Sequence, residues 1–392
     1  MKSDVLVVGG GMAGSALACC LAQAGLKIRL VSEKKPQDLV SPCLEIISPV
    51  SKKFMSSINT WETIPKTRKF GSMTIWDYFG TGSMTFESPG WIVERDWLES
   101  IHFQKASEVA ELTFGTVSEL ETQKDRVKVK LDNGDEFEAS MVVGADGKNS
   151  RIRHLMGVQT KNSNYPYDSL EFIVKSRSPV LETSQKYLKS GIITVLPMWE
   201  DYVGVVWAAP RNQVSTLKEM ASEELVESLN LALSSKPVKK FPRRYSVSSP
   251  EFSSLASEVV DSKYEIQHSK RLVGKRSAII GEAGHTVHPI AGELFNLCAY
   301  DVMNLSNSII KGLSGNLEKE LAGFESTAKF YGSMLGGVER MVVWAYYDVS
   351  AVHYLRNLQY TVLDSISPLK NMIVAGATGK YFVPSNWLWV SK

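Results

Sequence analysis

The sequence predicts an α/β protein: a domain built on a parallel sheet, a β-rich α+β layer inserted into it, and a helical C-terminal region. Three observations predict it. Short β-branched apolar runs lead into glycine-rich turns at three separated places, residues 4–8, 141–143 and 277–280. Runs without polar alternation read as parallel strands buried on both faces. Residues 169–268 carry several strand candidates in succession, and residues 333–392 are helical in pattern and aromatic.

Length and composition set the outer limits. The 392 residues are 44% apolar and 22% charged, enough core for two or three domains. Lys plus Arg number 44 against 42 Asp plus Glu, a net charge of +2, which argues against nucleic acid as a partner. The four cysteines (Cys19, Cys20, Cys43, Cys298) form no CxxC pair. Neither a disulfide framework nor a zinc site follows, and a reducing compartment is expected. No run of 18 apolar residues occurs, and the first strand begins at Asp4. A cytoplasmic protein is expected, either free or peripheral on the inner face of a membrane.

The first strand runs directly into Gly9-Gly10-Gly11-Met12-Ala13-Gly14, which satisfies G-x-G-x-x-G. A helix is predicted over 15–24, stopping at Gly25, then a strand over 27–32 with Glu33 at its end. Gly9 permits the tight turn, Gly11 lets the backbone approach a pyrophosphate, and Gly14 lets the helix pack on the strand. Met12 and Ala13 complete the turn whose N–H groups face phosphate charge. Glu33 suits the hydroxyls of an unphosphorylated adenosine ribose. The unit predicts a dinucleotide site, open between FAD and NAD.

Downstream, residues 126–131 alternate, Asp132-Asn133-Gly134-Asp135 reads as a turn, and 136–139 as a return strand. The strand at 141–143 delivers Asp146 and Gly147 either to a C-terminal sheet edge, where α/β ligands bind, or to a plain Asp-Gly turn. The third strand, 277–280, leads into Gly281-Glu282-Ala283-Gly284-His285-Thr286-Val287-His288-Pro289-Ile290-Ala291-Gly292. Glu293-Leu294-Phe295-Asn296 then precedes a helical stretch through 301–310.

These three segments, in this order, resemble the FAD-dependent aromatic hydroxylases related to p-hydroxybenzoate hydroxylase. Within that group the chain is most similar to the polyprenyl-phenol hydroxylases of ubiquinone biosynthesis, of the 2-octaprenyl-6-methoxyphenol hydroxylase type. The subgroup likeness rests on His285 through Gly292 and Asp301-Val302. Ile47-Ser48-Pro49, Thr74-Ile75-Trp76-Asp77, Ile92-Val93-Glu94, Leu196-Pro197-Met198 and Ser365 through Lys370 add to it. The likeness implies a Rossmann-like FAD-binding domain with an inserted β-rich α+β substrate domain and a C-terminal helical region. FAD-binding segments are expected at 1–71, 92–168 and 269–332, substrate-domain segments at 72–91 and 169–268, and the helical region at 333–392.

The likeness also implies roles. Gly9, Gly11, Gly14, Asp146 and Gly147 would attend the pyrophosphate, and Glu33 the ribose. Gly281 and Glu282 would face the ribityl chain or phosphates. Pro289, Ala291 and Gly292 would lie along the isoalloxazine, with Glu293, Leu294, Phe295 and Asn296 opening a helix aimed at the flavin. Val117 and Arg95 are expected at the cofactor, Arg95 as a replacement cation. His288 and Pro289 would be the catalytic pair, His288 near the substrate hydroxyl.

Four positions depart from the family pattern. Glu282 stands for a usual Asp, Glu293-Leu294 for Gln-Gly, and Gly284 for Ala. A family arginine is missing from the stretch Ser41-Pro42-Cys43-Leu44-Glu45.

The implied reaction is hydroxylation of a prenylated phenol by dioxygen, through a flavin C4a-hydroperoxide. No second G-x-G-x-x-G is present, so NAD(P)H docks transiently or a protein donor reduces the flavin. His285 and His288 lack further ligands at metal spacing, which favours a structural loop. Ile193, Val195, Leu196, Met198 and Trp207 are either pocket lining or core. The aromatic C-terminal region suits a helical cap or a membrane face, and other ubiquinone-biosynthesis proteins are expected partners. A flavin-free scaffold and a flavin-dependent isoprenoid reductase remain as alternatives.

Overall fold

The structure, a computed structural model, describes residues 2–36, 41–78, 83–189, 191–234, 250–286, 294–345 and 366. Two sheets organise the described residues. In the first, Lys2–Val8 is central and pairs in parallel with Ile28–Ser32 on one side and Glu136–Gly144 on the other. Glu111–Phe114 extends the sheet beyond Ile28–Ser32, and Ser277–Ile279 beyond Glu136–Gly144, again in parallel. The expected strands 136–139 and 141–143 are one continuous strand. The chain first builds to one side of Lys2–Val8 and then returns to build on the other. Such a reversal opens a crevice at the strands' carboxyl ends.

Both faces of this sheet are covered, which is why its strands read as apolar runs. Leu17, Leu98, Ala106 and Leu305 come from the helices Met12–Gln23, Arg95–Val109 and Leu294–Ser314. Val127, Val129 and Leu131 come from the hairpin strand Val127–Leu131, and all join one core with Val5, Val7 and Val143. The first helix starts at Met12, three residues earlier than the pattern predicts. Gly11, extended at φ −73° and ψ −173°, is its N-cap.

The second sheet runs, by hydrogen-bonded neighbours, from Phe252–Leu255 through Thr160–Ser176, Tyr202–Pro210, Gly191–Pro197 and Thr183–Leu188. It continues to Arg68–Asp77, Ser83–Glu94 and Leu44–Ile47, with Val260–Ser269 also paired to Thr160–Ser176. It therefore takes strands from both expected insert segments and reaches past residues 72–91 at each end. Helices Arg211–Glu219 and Ser222–Leu233 pack on its outer face. The second of these has the predicted bounds. Its N-cap is Ala221 rather than the predicted Ser222, and the Glu224 carboxylate accepts the Ala221 N–H at 3.3 Å. A first-turn glutamate satisfies the N-cap residue's own N–H, and no N-cap side chain accepts from the first turn.

Among the pocket candidates, Ile193, Val195 and Trp207 point into the core beneath these helices. Leu196 and Met198 sit in a separate cluster with Leu44, Phe70 and Ile92. Leu317–Ala345 is a helix that enters the predicted C-terminal helical region. Tyr346, Tyr347, Tyr354, Tyr360, Tyr381, Phe382, Trp387 and Trp389 lie outside the described residues. No helix among the described residues is long and apolar enough to cross a membrane.

Candidate cofactor site

The crevice predicted by the strand order is a cleft of about 310 Å³. Gly9, Gly11, Met12, Ala13, Glu33, Val117, Asp146 and Gly147 line it, with Gly9 packed directly against the backbone of Ala145 and Asp146. Glu282 and Leu294 close it from the third segment.

The three glycines have separable reasons. Gly9 has φ +113°, and a methyl group on it would overlap the Ala145 carbonyl. A methyl on Gly14 would overlap the Gly9 carbonyl, so helix and strand touch there through backbone. A methyl on Gly11 would meet no atom of the described residues within 4 Å. Nothing in the fold requires glycine at position 11, yet its missing side chain faces the cleft where the first helix begins. The residues present fit a pyrophosphate resting on that helix's N-terminus.

Asp146 lines the cleft but spends its carboxylate on the chain. Oδ2 accepts the Arg151 and Ile152 N–H groups at 2.7 and 3.0 Å, and Oδ1 the Ser150 hydroxyl at 2.5 Å. It thereby holds the turn that presents Gly147, at φ +76°. Gly281, at φ +58°, sits behind the wall and donates its N–H to Asp301 Oδ2 at 2.8 Å. The same oxygen lies 2.8 Å from His285 Nε2. His285 thus ties its loop to the long helix. His288, Pro289, Ala291, Gly292 and Glu293 lie outside the described residues.

Among the described residues, five of the expected cofactor residues do not line the cleft: Gly14 and Gly281, placed above, and three more. Phe295 is buried against His102. Asn296 accepts the Ser48 N–H and donates to the Ile46 carbonyl, tying the long helix to the strand Leu44–Ile47. Arg95 Nε donates to Glu45 Oε1 at 2.7 Å, behind the wall formed by Glu99 and Cys298.

Glu99, Cys298, Lys34, Lys35 and Arg151 line the cleft and were not singled out from the sequence. Glu99 falls four residues after Arg95, one helical turn along, which was the available signal. Burial pushes the Glu99 carboxyl up. Arg95 opposes this, while Asp96, Glu45 and Glu282 add to it. Burial, then Asp301, Glu282 and Glu45, push the Cys298 thiol far up, so it is no thiolate nucleophile.

A crossover with a cleft-facing glycine at a helix N-terminus, and an acid at the end of the second strand, is the arrangement of a dinucleotide-binding protein. Residues 2–323 match the FAD binding domain family, and the chain belongs to it.

Curated relatives match beyond the cofactor half. The mitochondrial ubiquinone biosynthesis monooxygenase COQ6 of Homo sapiens is 26% identical, covering 96% of this chain and 92% of that protein. The 3-demethoxyubiquinol 3-hydroxylase of Escherichia coli (strain K12) is 25% identical, covering 80% of this chain and 81% of that one. Among solved structures, the Diels-Alderase PyrE3 superposes with a TM-score of 0.74 at 18% identity, covering 98% of this chain and 81% of that chain. The anhydrotetracycline hydroxylase OxyS from Streptomyces rimosus gives 0.71 at 18%, covering 97% and 76%. These two share the fold with this chain.

Proposed function

We propose that this protein is an FAD-dependent monooxygenase that hydroxylates the aromatic ring of a polyprenyl phenol in ubiquinone biosynthesis. The observation that carries this is the extent of the likeness. Ubiquinone-biosynthesis monooxygenases match 95–96% of the chain, both sheets included, rather than the cofactor-binding crossover alone.

Bound FAD, once reduced, supplies the activation of dioxygen. The chain's own residues do the rest. The first helix's N-terminus and the Gly11 backbone hold the pyrophosphate, and Glu33 holds the ribose. The inner face of the second sheet walls the site from water, with Glu171, Thr194 and Gln185 buried and in register across the strands. A phenol placed against that row meets hydrogen-bonding groups in a dry setting, where they are strongest. His288 and Pro289 complete the reading as the catalytic pair. NAD(P)H or a protein donor supplies electrons. The second sheet, built from strands within residues 72–91 and 169–268 and extended into 44–47, 68–71, 92–94 and 160–168, forms the substrate part, and the first sheet with its helices forms the cofactor part. A polyprenyl tail partitions into a bilayer, so peripheral contact with a membrane and with other enzymes of the pathway belongs to this reading.

The test has two stages. The purified chain should carry or take up FAD near one per protein, by its visible spectrum and released flavin. Supplied with a reductant and a prenyl phenol, it should place one atom of ¹⁸O₂ in the product. A chain that FAD titration leaves colourless would leave the scaffold alternative standing. A reduced prenyl chain without ¹⁸O would favour the reductase.

A further inference from the structure

We infer that Glu45 is an internal anion that occupies the donors an anionic cofactor would use, so FAD binding requires Glu45 to release Arg95 and take up a proton. The inference rests on FAD as the cofactor and concerns how this chain controls its entry.

Glu45 lies on the strand Leu44–Ile47, is 1% exposed, and accepts Arg95 Nε at 2.7 Å. It also accepts the backbone N–H of Phe295, in the first turn of the helix Leu294–Ser314. Leu294 and Cys298 of that helix line the cleft, as does Glu99, one turn beyond Arg95. A single carboxylate thus holds both a guanidinium and a helix-terminal N–H immediately behind the cofactor cleft. Those are the two kinds of donor that stabilise an anion.

The surroundings make this arrangement reversible. Arg95 is also attracted by Glu171 from the strand Thr160–Ser176 and by Cys43. Glu99 and Glu282 add negative charge at the cleft wall. Carboxylates outnumber the guanidinium, so each competes for it. Burial, opposed by Arg95, already holds the Glu45 carboxyl above the usual range. Once Arg95 turns to a phosphate or flavin oxygen, Glu45 loses its chief stabilising charge and protonates.

Proton uptake on binding has a definite sign: affinity for FAD rises as pH falls. FAD binding to the full-length apoprotein is measured by fluorescence titration between pH 6 and 8.5, for wild type, Glu45→Gln and Arg95→Gln. Calorimetry in two buffers of different ionisation heat counts protons. Thermal melts confirm that each variant folds. The wild type should weaken about tenfold per unit over part of this range and take up close to one proton. E45Q keeps an acceptor for Phe295 but no charge. It should bind about tenfold tighter at pH 8, with a flattened pH profile and no proton uptake. R95Q should bind weakly at every pH. Wild type and E45Q within twofold of each other, with parallel pH profiles, would overturn the inference while leaving FAD as cofactor. FAD bound by neither at any pH would overturn both.

Discussion

His285 Nε2 and Asp301 Oδ2 are 2.8 Å apart and both side chains are buried, so a loop at the cofactor cleft is pinned to the long helix behind it. Asp301 Oδ2 accepts the Gly281 N–H as well. One carboxylate oxygen therefore fixes the start of the turn Gly281–Ala283 and the residue two positions beyond its end. Asp301→Ala removes at once the carboxylate bonded to a buried imidazole and to a buried amide, and should cost about 3 kcal/mol of folding stability. Asp301→Asn, which keeps one acceptor, should cost less. Urea denaturation of both variants checks this, and a loss below about 1 kcal/mol in the alanine variant would mean the pair does not hold the loop.

Gly11 and Gly14 should part company when each is changed to alanine. Gly14→Ala drives a methyl into the Gly9 carbonyl, so the first helix must move off its strand. Overpacking of this kind typically costs about 1–3 kcal/mol, and Tm should fall with it. Gly11→Ala places its methyl in open space, so Tm should hold while FAD binding weakens at least tenfold. Equal melting temperatures with normal FAD affinity for Gly11→Ala would remove the case for a pyrophosphate at that helix.

The same glycines show why part of the site was legible in the sequence. Positive φ at Gly9 and backbone contact at Gly14 are local demands that a six-residue motif expresses in full. The amphipathic stretch Ser222–Leu233 and the apolar run Gly191–Pro197 also declared their own bounds. The direction in which Ile193 and Trp207 point was not legible. Both faces of the second sheet are buried there, so polar alternation carried no sign. Nor was the Glu45–Arg95 pair legible: fifty positions separate the partners, and only antiparallel pairing of Leu44 with Glu94 sets them side by side. Arg95 was singled out as a spare cation, yet its partner lay inside the stretch that lacks the family arginine.

His102 should make the fold acid-sensitive. Burial holds its imidazole down at about 4, against an ordinary 6.5, although its ring bonds the Leu98 carbonyl region at 2.6 Å. The folded chain thus binds a proton at His102 less readily than the unfolded chain. Its contribution is complete above pH 6.5 and is lost as pH falls from 6.5 to 4. A shift of this size amounts to about 3 kcal/mol by pH 4. Wild type and His102→Asn should be compared by denaturant melts at pH 7 and pH 4.5. The stability lost on acidification should be smaller in the variant, and an equal loss would locate the acid sensitivity elsewhere.

Glu33 offers the sharpest check on which dinucleotide the cleft accepts. It stands one residue beyond Ile28–Ser32, at the carboxyl end of that strand, and lines the cleft. A carboxylate there accepts from a ribose hydroxyl and repels a phosphate on the same ribose. Lys34 and Lys35 lie beside it in the cleft, so net charge alone would not exclude a phosphate. Removing the acceptor by Glu33→Ala should weaken FAD by about tenfold, the size of one charged hydrogen bond. Glu33→Gln, which keeps an acceptor, should weaken it less. If the ribose is not held here, neither change will move the FAD dissociation constant by more than twofold. The adenosine end would then have to lie away from the second strand, and the orientation assigned from the glycine motif would fail with it.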